Sequence, residues 1–385
     1  MIKIGIYLQS GPACGGTYQY NRMMLDALCD LPQTHFEIVA IYGSQHWENI
    51  LEAKQLKRIY VPLTPLAQKL TGIWRRSHLP LSFWRKIARF IHPLAKAMVK
   101  ENCRHWIFPS QDALAYWMPV SAIATVHDLM HRYERRFPEV GAASEFNIRE
   151  FHYQNTCRWA SKVLVDSELG KQQLMESYAV HQDRCHVLPF VAPKNIESVQ
   201  ALEFDQKYTL PKKFLFYPAQ FWEHKNHDRL LLALYQLLPK LPDLQLVLVG
   251  SPKNHYESII DLIQRLKLKD VVHLLGLVED DEIPELYRRA RALIMPTFFG
   301  PTNIPPLEAF ALGCPVGISG IYVMKEQLQE AALYFDPNSI DEIADVIQKL
   351  WTDDALCQQL IALGKQRTSE LNFEHFKQNV HSILI

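Results

Sequence analysis

The fold class is decided by one stretch, KFLFYPAQFWEHKNHDRLLLALYQLLPKLPDLQLVLVG, at residues 213–250. Its first part, KFLFYPA, is a short apolar run typical of a buried strand. Its middle, HDRLLLALYQLL, has apolar residues at helical spacing, and its last part, LQLVLVG, is a second buried strand. A strand, a helix and a strand in this order predict two parallel strands joined by a crossover helix.

The same alternation continues on both sides of this stretch. Downstream come YESIIDLIQRLK, VVHLLG, DEIPELYRRA and ALIMP, and the first half of the chain begins with IKIGIYL, YQYNRMMLDALCDL and FEIVAIY. Between the halves, residues 189–213 are polar, contain prolines and lack a clear period. We therefore expect an α/β protein of two Rossmann-like domains, residues 1–195 and 196–369, whose parallel sheets face a central cleft.

Composition excludes several classes of protein. The 385 residues carry 41 basic and 41 acidic side chains, so nucleic acid is not expected as a partner, and 48% hydrophobic residues indicate a folded globular protein. No apolar run approaches the length of a membrane span, and no secretory signal is expected from MIKIGIYLQ. The cysteines are odd in number and scattered, which favours a reducing cytoplasm: Cys14, Cys29, Cys103, Cys157, Cys185, Cys314 and Cys357.

A second stretch, FFGPTNIPPLEAFALGCPV at residues 298–316, carries the first candidate site residue. The Pro305-Pro306 pair predicts a helix start, and Glu308 falls in the opening turn. Backbone N–H groups at such a start can hold an anion, while a carboxylate can accept hydrogen bonds from hydroxyls. A phosphate beside a diol is what a nucleotide offers. The alternative is that Glu308 only complements the helix dipole.

A glycine-containing loop follows the first predicted strand. It contains Gly11, Gly15 and Gly16, but the spacing is not G-x-G-x-x-G, and the next strand ends in Tyr42 where a dinucleotide site needs an acidic residue. Nicotinamide chemistry is therefore disfavoured. Gly15 and Gly16 would still let a ligand approach the backbone closely, or they could simply form a turn.

Six segments, in this order along the chain, carry a resemblance to a known family. They are the Gly15-Gly16 turn, ATVHDL at 124–129, VDSELGKQQL at 165–174, HKNHDRLLLAL at 224–234, LVLVG at 246–250 and NIPPLEAFALGCPV at 303–316. Together they resemble retaining glycosyltransferases of the GT-B fold, in particular the family 4 group that builds bacterial polysaccharides and glycolipids. In that family the C-terminal domain binds a nucleotide-diphosphate sugar and the N-terminal domain binds the acceptor.

The resemblance assigns roles to three side chains. It implies that Glu308 accepts hydrogen bonds from the nucleotide ribose and that Lys225 contacts the diphosphate, where a fixed ammonium stabilises the charge of the leaving group. It also implies that His127 lies near the donor sugar. The alternatives are a solvated charge for Lys225 and a structural role for His127.

Two positions depart from the family pattern. The family often has a glutamate eight residues before the ribose glutamate, where this chain has Gly300, and an arginine five residues before the lysine, where it has Gln220. We expect the 300–304 loop to substitute, through Thr302 and Asn303 and through backbone N–H groups up to Ile304. The resulting prediction has His127, Lys225 and Asn303 as catalytic residues. Donor binding is assigned to Gly15, Gly16, Gln220, Lys225, Gly300, Thr302, Asn303, Ile304 and Glu308.

No cofactor is expected, because no isolated D-x-D triplet occurs and Lys225 with helix N-termini would neutralise the diphosphate without a metal ion. The expected partners are a UDP-, GDP- or dTDP-linked sugar and a saccharide or lipid-linked acceptor. The resemblance also implies that the final helix, about 370–385, returns to the N-terminal domain.

A basic segment at residues 53–100 contains no acidic residue. Its cations are Lys54, Lys57, Arg58, Lys69, Arg75, Arg76, Arg85, Lys86, Arg89, Lys96 and Lys100. Aromatic and aliphatic residues alternate with them, which is typical of amphipathic pieces that rest on an anionic membrane. The alternative is a solvated face whose apolar residues pack on the core.

The sequence therefore predicts a retaining hexosyltransferase in polysaccharide or lipopolysaccharide biosynthesis, in the cytoplasm and peripheral to the inner face of the cell membrane. Two rivals stay open: a GT-B sugar-nucleotide epimerase, and a glycosyltransferase-like subunit without catalytic activity.

Overall fold

The structure, a computed structural model, describes residues 1–62, 64–65, 69, 72, 74, 79–201 and 203–385. The chain forms two compact units. The first unit comprises Met1–Leu129, Asn147–Pro189 and Glu374–Ile385, and the second comprises Met130–Phe146 and Phe190–Phe373. The change of unit at Pro189/Phe190 lies six residues before the predicted boundary, and the change at Phe373/Glu374 lies within the predicted final helix.

The first unit is built on a parallel sheet that is buried on both faces. Among the described residues its strands are β1 (Ile2–Leu8), β2 (Phe36–Tyr42), β3 (Lys57–Tyr60), β4 (His105–Phe108), β5 (Ala122–Thr125), β6 (Lys162–Val165) and β7 (Cys185–Val187), in the order β3-β2-β1-β4-β5-β6-β7. Continuous apolar runs such as Ile4–Leu8 suit such a sheet, because helices cover both of its faces.

Helices surround this sheet. Those described in the first unit are Gly16–Cys29, Trp47–Ala53, Leu81–Ile91, Pro93–Glu101, Leu114–Trp117, Glu168–Tyr178 and Phe373–Leu384, and Ala143–Trp159 runs across the boundary at 146/147. The final helix is fixed to this unit because Phe376 is buried and its ring lies edge-on to Tyr20, 6.3 Å between centroids. Arg104 also donates a hydrogen bond to the carbonyl of Ile385, 3.2 Å away.

The second unit repeats the architecture. Its described strands are β8 (Leu215–Pro218), β9 (Leu246–Val249), β10 (Val272–Gly276), β11 (Ala292–Met295), β12 (Val316–Ser319) and β13 (Ala332–Phe335), in the parallel order β10-β9-β8-β11-β12-β13. Its described helices are Met130–Tyr133, Pro138–Gly141, Phe204–Lys207, His227–Leu237, Tyr256–Arg265, Ile283–Arg289, Pro305–Ala311, Met324–Leu328, Ile340–Thr352 and Asp354–Glu370. The predicted α/β class with two parallel sheets is confirmed.

One segment departs from the predicted division of the chain. Residues 130–146 were expected in the first domain, but they belong to the second unit. The physical reason is apolar packing: Phe137 and Val140 are buried in one cluster with Phe298 and Phe299. The ring centroid of Phe137 lies 5.2 Å from that of Phe298. The free energy gained by burying these aromatic rings therefore places the segment in the second unit, although its neighbours in the sequence belong to the first.

Among the described residues, no helix is both long enough and apolar enough to cross a bilayer.

Candidate functional site

Lys225 lies at the carboxyl end of the sheet in the second unit. The turn Glu223–Lys225 follows strand β8, and β8 pairs with β11, whose carboxyl end leads into residues 296–304. Because both strands are parallel, the two connections emerge at the same edge of the sheet. We call residues 223–226 the lysine turn and residues 296–304 the 296–304 loop.

Asn226 fixes the lysine turn to its surroundings. Its backbone is left-handed, at φ 60°, which asparagine tolerates better than most residues. Its side-chain amide is buried and donates to the carbonyls of Pro296 and Pro337, at 2.9 and 2.8 Å. The hydroxyl of Tyr217 donates to the carbonyl of Lys225, 3.0 Å away. The backbone on both sides of the half-buried lysine is therefore held by side chains from neighbouring elements.

His224 joins the lysine turn to the 296–304 loop. Its carbonyl accepts a hydrogen bond from the backbone N–H of Phe298, at 2.8 Å. Its ring stacks on Phe299 with 3.7 Å between centroids and 15° between planes. The two connections are therefore in direct contact with each other.

Glu308 lies in the first turn of the helix Pro305–Ala311, as the sequence predicts. Its side chain is 8% exposed, and one carboxyl oxygen accepts a hydrogen bond from the hydroxyl of Tyr287 at 3.0 Å. Burial raises the pKa of Glu308 to about 7, against the weaker lowering effect of the Tyr287 hydrogen bond. A carboxyl group that titrates near neutral pH can be ionised by ligands that donate hydrogen bonds to it.

The 296–304 loop differs from its prediction in one respect. The backbone N–H of Asn303 was expected to face a ligand, but it donates to Gln327 Oε1 at 3.0 Å, and Gln327 Nε2 donates back to the Asn303 carbonyl at 2.9 Å. The sequence could not place Gln327, which lies on a later helix. The roles predicted for the side chains of Asn303 and Thr302 stay predictions. Ile304 is buried, and its carbonyl accepts a hydrogen bond from the backbone N–H of Glu308.

Gly300 and Gln220 hold the two positions at which the family pattern is lost. Gly300 has φ +105°, and a Cβ there would lie 2.9 Å from the side-chain nitrogen of Asn303, so this backbone is suited to glycine. Gln220 accepts a hydrogen bond from the indole N–H of Trp222 at 2.8 Å. The ammonium of Lys253 lies 5.2 Å from the ring centroid of the same Trp222.

Gly15 and Gly16 belong to the first unit, where they follow strand β1. Gly15 has φ 55° and ψ −124°, and Gly16 begins the helix Gly16–Cys29. A Cβ added at either glycine would meet no atom within 4 Å. The turn is therefore open on the side where side chains would project, which is compatible with the predicted approach of a ligand.

His127 also belongs to the first unit, just after strand β5. Its Nε2 lies 3.0 Å from the carbonyl of Pro109, and its backbone N–H donates to Gln111 at 2.9 Å. Because a carbonyl can only accept, Nε2 must carry a proton. Burial lowers the pKa of His127, so the neutral ring, with its lone pair on Nδ1, is favoured. Such a ring can accept a hydrogen bond from a hydroxyl group.

The sequence did not single out Glu139, Asn254 or Tyr287, although they contact the predicted residues. Glu139 and Asn254 surround the start of the lysine turn, and Tyr287 binds Glu308. The only sequence signal near Glu139 is Pro138, which marks a helix start. That signal gives no indication of a partner 85 residues away.

In the part of the chain that the structure describes, no group of three or more histidine, cysteine, aspartate or glutamate side chains is arranged to hold a metal ion.

Sequence comparison finds a matching family profile and several relatives. A family profile described as "Glycosyl transferases group 1" matches residues 200–367. O-antigen chain mannosyltransferase B of Escherichia coli is 24% identical over 323 residues, 80% of this chain and 80% of that protein. O-antigen chain mannosyltransferase RfbU of Salmonella typhimurium is 28% identical over 201 residues, 49% of this chain and 53% of that protein.

Structure comparison gives a similar fold over the full length. The crystal structure of Anabaena Alr3699/HepE in complex with UDP and glucose matches with a TM-score of 0.75 at 15% identity, covering 100% of this chain and 99% of that chain. At this identity the match describes the fold alone.

Proposed function

Because residues 200–367 match the profile of the glycosyl transferases group 1 and the chain has the GT-B fold, we propose that it moves a hexose from a nucleotide-diphosphate sugar to a saccharide or lipid-linked acceptor. The protein is a glycosyltransferase. The donor, the acceptor, retention of configuration and the roles of individual residues are the parts that we propose.

One observation carries the proposal. The lysine turn is bonded to the 296–304 loop at His224, and that loop leads directly into the helix that bears Glu308. An ammonium and a carboxyl group therefore stand on touching connections at one edge of one sheet. A nucleoside diphosphate needs this combination, since its phosphates seek a cation and its ribose hydroxyls seek an acceptor.

The chemistry of the transfer explains the cation. When the bond between sugar and phosphate breaks, negative charge grows on the departing diphosphate. An ammonium that is already in place stabilises this charge without reorganisation, and its loss should lower kcat by about 100-fold or more. Lys225 is suited to this role because its backbone is fixed through Asn226 and Tyr217.

His127 would serve the donor sugar. Its neutral ring can accept a hydrogen bond from a sugar hydroxyl through Nδ1, while Nε2 stays anchored on Pro109. Gly15 and Gly16 would let the donor approach the backbone of the first unit.

Mannose is the first donor sugar to test. Two relatives are named as O-antigen mannosyltransferases, while the structural neighbour holds UDP and glucose, so the names favour mannose and leave the nucleotide open. Retention would follow from the family resemblance. It is checked by the anomeric coupling constant of the product in nuclear magnetic resonance spectra.

A transfer assay tests the function. Purified protein is incubated with GDP-mannose, UDP-glucose or a dTDP-hexose, with and without a lipid-linked saccharide acceptor. We expect acceptor-dependent transfer that Lys225→Ala slows by about 100-fold or more and that Lys349→Ala, at an exposed lysine of the same unit, leaves unchanged. Turnover of the donor without acceptor would favour the epimerase instead. Nucleotide binding without any turnover would favour the non-catalytic subunit.

We also propose that transfer needs no metal ion, since the lysine turn supplies the positive charge. Chelation with EDTA should leave the rate unchanged. A loss of activity that Mg²⁺ or Mn²⁺ restores would refute this part.

The basic segment gives a proposed site of action on an anionic membrane surface at the cytoplasmic face. The helix Leu81–Ile91 divides its side chains: Trp84 and Ala88 are buried, whereas Phe83 and Phe90 are 51% and 67% exposed. Lys86 and Arg89 are exposed on the same side as the two phenylalanines. Exposed aromatic rings among cations suit the boundary between lipid headgroups and acyl chains.

Part of the predicted basic segment has a structural role instead. Arg85 donates to the carbonyls of Tyr116, Met118 and Val120, and Lys57 is paired with Glu101. The side chains of Arg85 and Lys57 therefore form hydrogen bonds within the first unit. Arg75 and Arg76 lie outside the described residues. The proposed surface therefore rests on Lys86, Arg89, Lys96 and Lys100, each worth on the order of 1 kcal/mol near anionic lipid.

Liposome co-sedimentation tests this surface. Binding to anionic vesicles at low salt is expected, and the pair Phe83→Ser and Phe90→Ser should remove it. Tyr235→Ser, at a 51% exposed tyrosine of the second unit, is the matched control. Equal sedimentation of all variants, or none by the wild type, would contradict the proposal.

A further inference from the structure

The start of the lysine turn is held by a second set of side chains. Glu139 Oε1 accepts two hydrogen bonds from His224, from the backbone N–H at 3.0 Å and from ring Nδ1 at 2.5 Å. Glu139 Oε2 accepts from the amide of Asn254 at 3.0 Å. Asn254 Oδ1 in turn accepts the backbone N–H of Glu223 at 3.3 Å. The first two N–H groups of the turn are thus satisfied by Glu139 and Asn254.

Glu139 is carried to this place by the 130–146 segment. Phe137, two residues earlier, packs on Phe298 and Phe299 of the 296–304 loop. The segment therefore holds both connections of the proposed donor site at once, the loop through an aromatic contact and the lysine turn through a carboxylate.

The carboxylate stays ionised. Burial raises the pKa of Glu139, but the hydrogen bonds from His224 outweigh this effect, and the net pKa falls to about 2. The side chains of Glu139 and His224 are 6% and 9% exposed, so the hydrogen bonds between them are screened little by water. Hydrogen bonds to an ionised acceptor are roughly twice as strong as those between neutral groups.

We propose that Glu139 is a positioning residue of the donor site: by holding the main chain and the ring of His224, it fixes the lysine turn so that Lys225 reaches the donor diphosphate. The proposal rests on the proposed function. The negative charge of Glu139 would by itself repel a diphosphate. Three N–H groups, two from His224 and one from Asn254, donate to this carboxylate and partly offset its field at the ligand.

Calorimetric titration of UDP and GDP into single and double variants tests the inference. Glu139→Gln keeps the volume but turns an amide N–H toward groups that are themselves donors. We expect the Kd for the nucleotide to rise about tenfold, because a hydrogen bond to a charged group is lost. Asn254→Ala, at an exposed residue, should raise Kd in the same direction by a smaller factor.

A positioning role predicts non-additivity. In the Lys225→Ala background, Glu139→Gln should change Kd by less than twofold, since there is no longer an ammonium to position. Glu134→Gln is the matched control: Glu134 lies in the same segment, and its carboxylate accepts from Tyr322 at 2.7 Å and from Arg136 at 3.1 Å. It should bind like the wild type.

The outcomes separate the two proposals. If the wild type binds no nucleoside diphosphate, the proposed function fails. If Lys225→Ala weakens binding while Glu139→Gln and Asn254→Ala do not, the inference fails and the function stands. Equal factors for Glu139→Gln in both backgrounds would also overturn it. If Glu139→Gln does not melt cooperatively, the same cycle run with Asn254→Ala decides.

Discussion

Replacement of Glu308 by glutamine should change the pH dependence of stability in a defined way. The pKa of Glu308 is raised from 4.5 to about 7 by burial. The folded protein therefore binds a proton more tightly at this site than the unfolded chain does. The resulting stability is fully present below pH 4.5 and is lost as pH rises through about 7.

The magnitude follows from the size of the pKa change. About 2.5 pKa units, at 1.36 kcal/mol each, correspond to about 3 kcal/mol that the wild type loses across this window. Glutamine does not titrate and keeps a hydrogen-bond acceptor for Tyr287. The unfolding free energy of Glu308→Gln, minus that of the wild type, should therefore rise by about 3 kcal/mol between pH 4.5 and pH 8.

Guanidinium unfolding at four pH values between 4.5 and 8 measures this difference, and all other titrating groups cancel in the subtraction. Glu326→Gln, at an exposed glutamate of the same unit, controls for the replacement of a carboxyl group by an amide. A difference for Glu308→Gln that does not change with pH would mean that burial does not disfavour the charged form of this carboxyl group.

Two further changes test the scaffold of the site. Asn226→Gly keeps the left-handed backbone but leaves the carbonyls of Pro296 and Pro337 without their buried donor. The variant should lose about 3 kcal/mol of unfolding free energy in denaturant titrations. A loss below about 0.5 kcal/mol would contradict the bridging role of Asn226. Gly300→Ala should lower the unfolding free energy by about 1 to 2 kcal/mol because alanine disfavours a positive φ. Gly16→Ala, where a Cβ meets no atom within 4 Å, should be nearly neutral in the same denaturant titrations. Equal effects at both glycines would show that backbone conformation is not the cause.

The fold was readable from the sequence because its signal is local. Segments such as LQLVLVG and HDRLLLALYQLL show their type through the spacing of apolar residues within a dozen positions. Glu308 was placed in a first helical turn for the same reason, since Pro305 and Pro306 mark the start. Lys225 was placed in a connection because it follows a predicted strand.

The parts that the sequence could not give depend on contacts between distant residues. The 130–146 segment belongs to the second unit because Phe137 packs on Phe298 and Phe299. No local sequence pattern in this segment predicts that packing. The backbone N–H of Asn303 donates a hydrogen bond to Gln327, which lies on a helix after the next strand. In the basic segment, Arg85 looks like its neighbours in sequence, and only the carbonyls around it show that its charge is used internally.

If Lys225 and Glu308 hold one nucleoside diphosphate, a crystal structure of the protein with bound UDP or GDP will show both contacts. We expect Lys225 Nζ within about 3 Å of a phosphate oxygen, and a Glu308 carboxyl oxygen within about 3 Å of a ribose hydroxyl of the same molecule. A nucleotide that binds elsewhere, or that touches only one of the two groups, would contradict it.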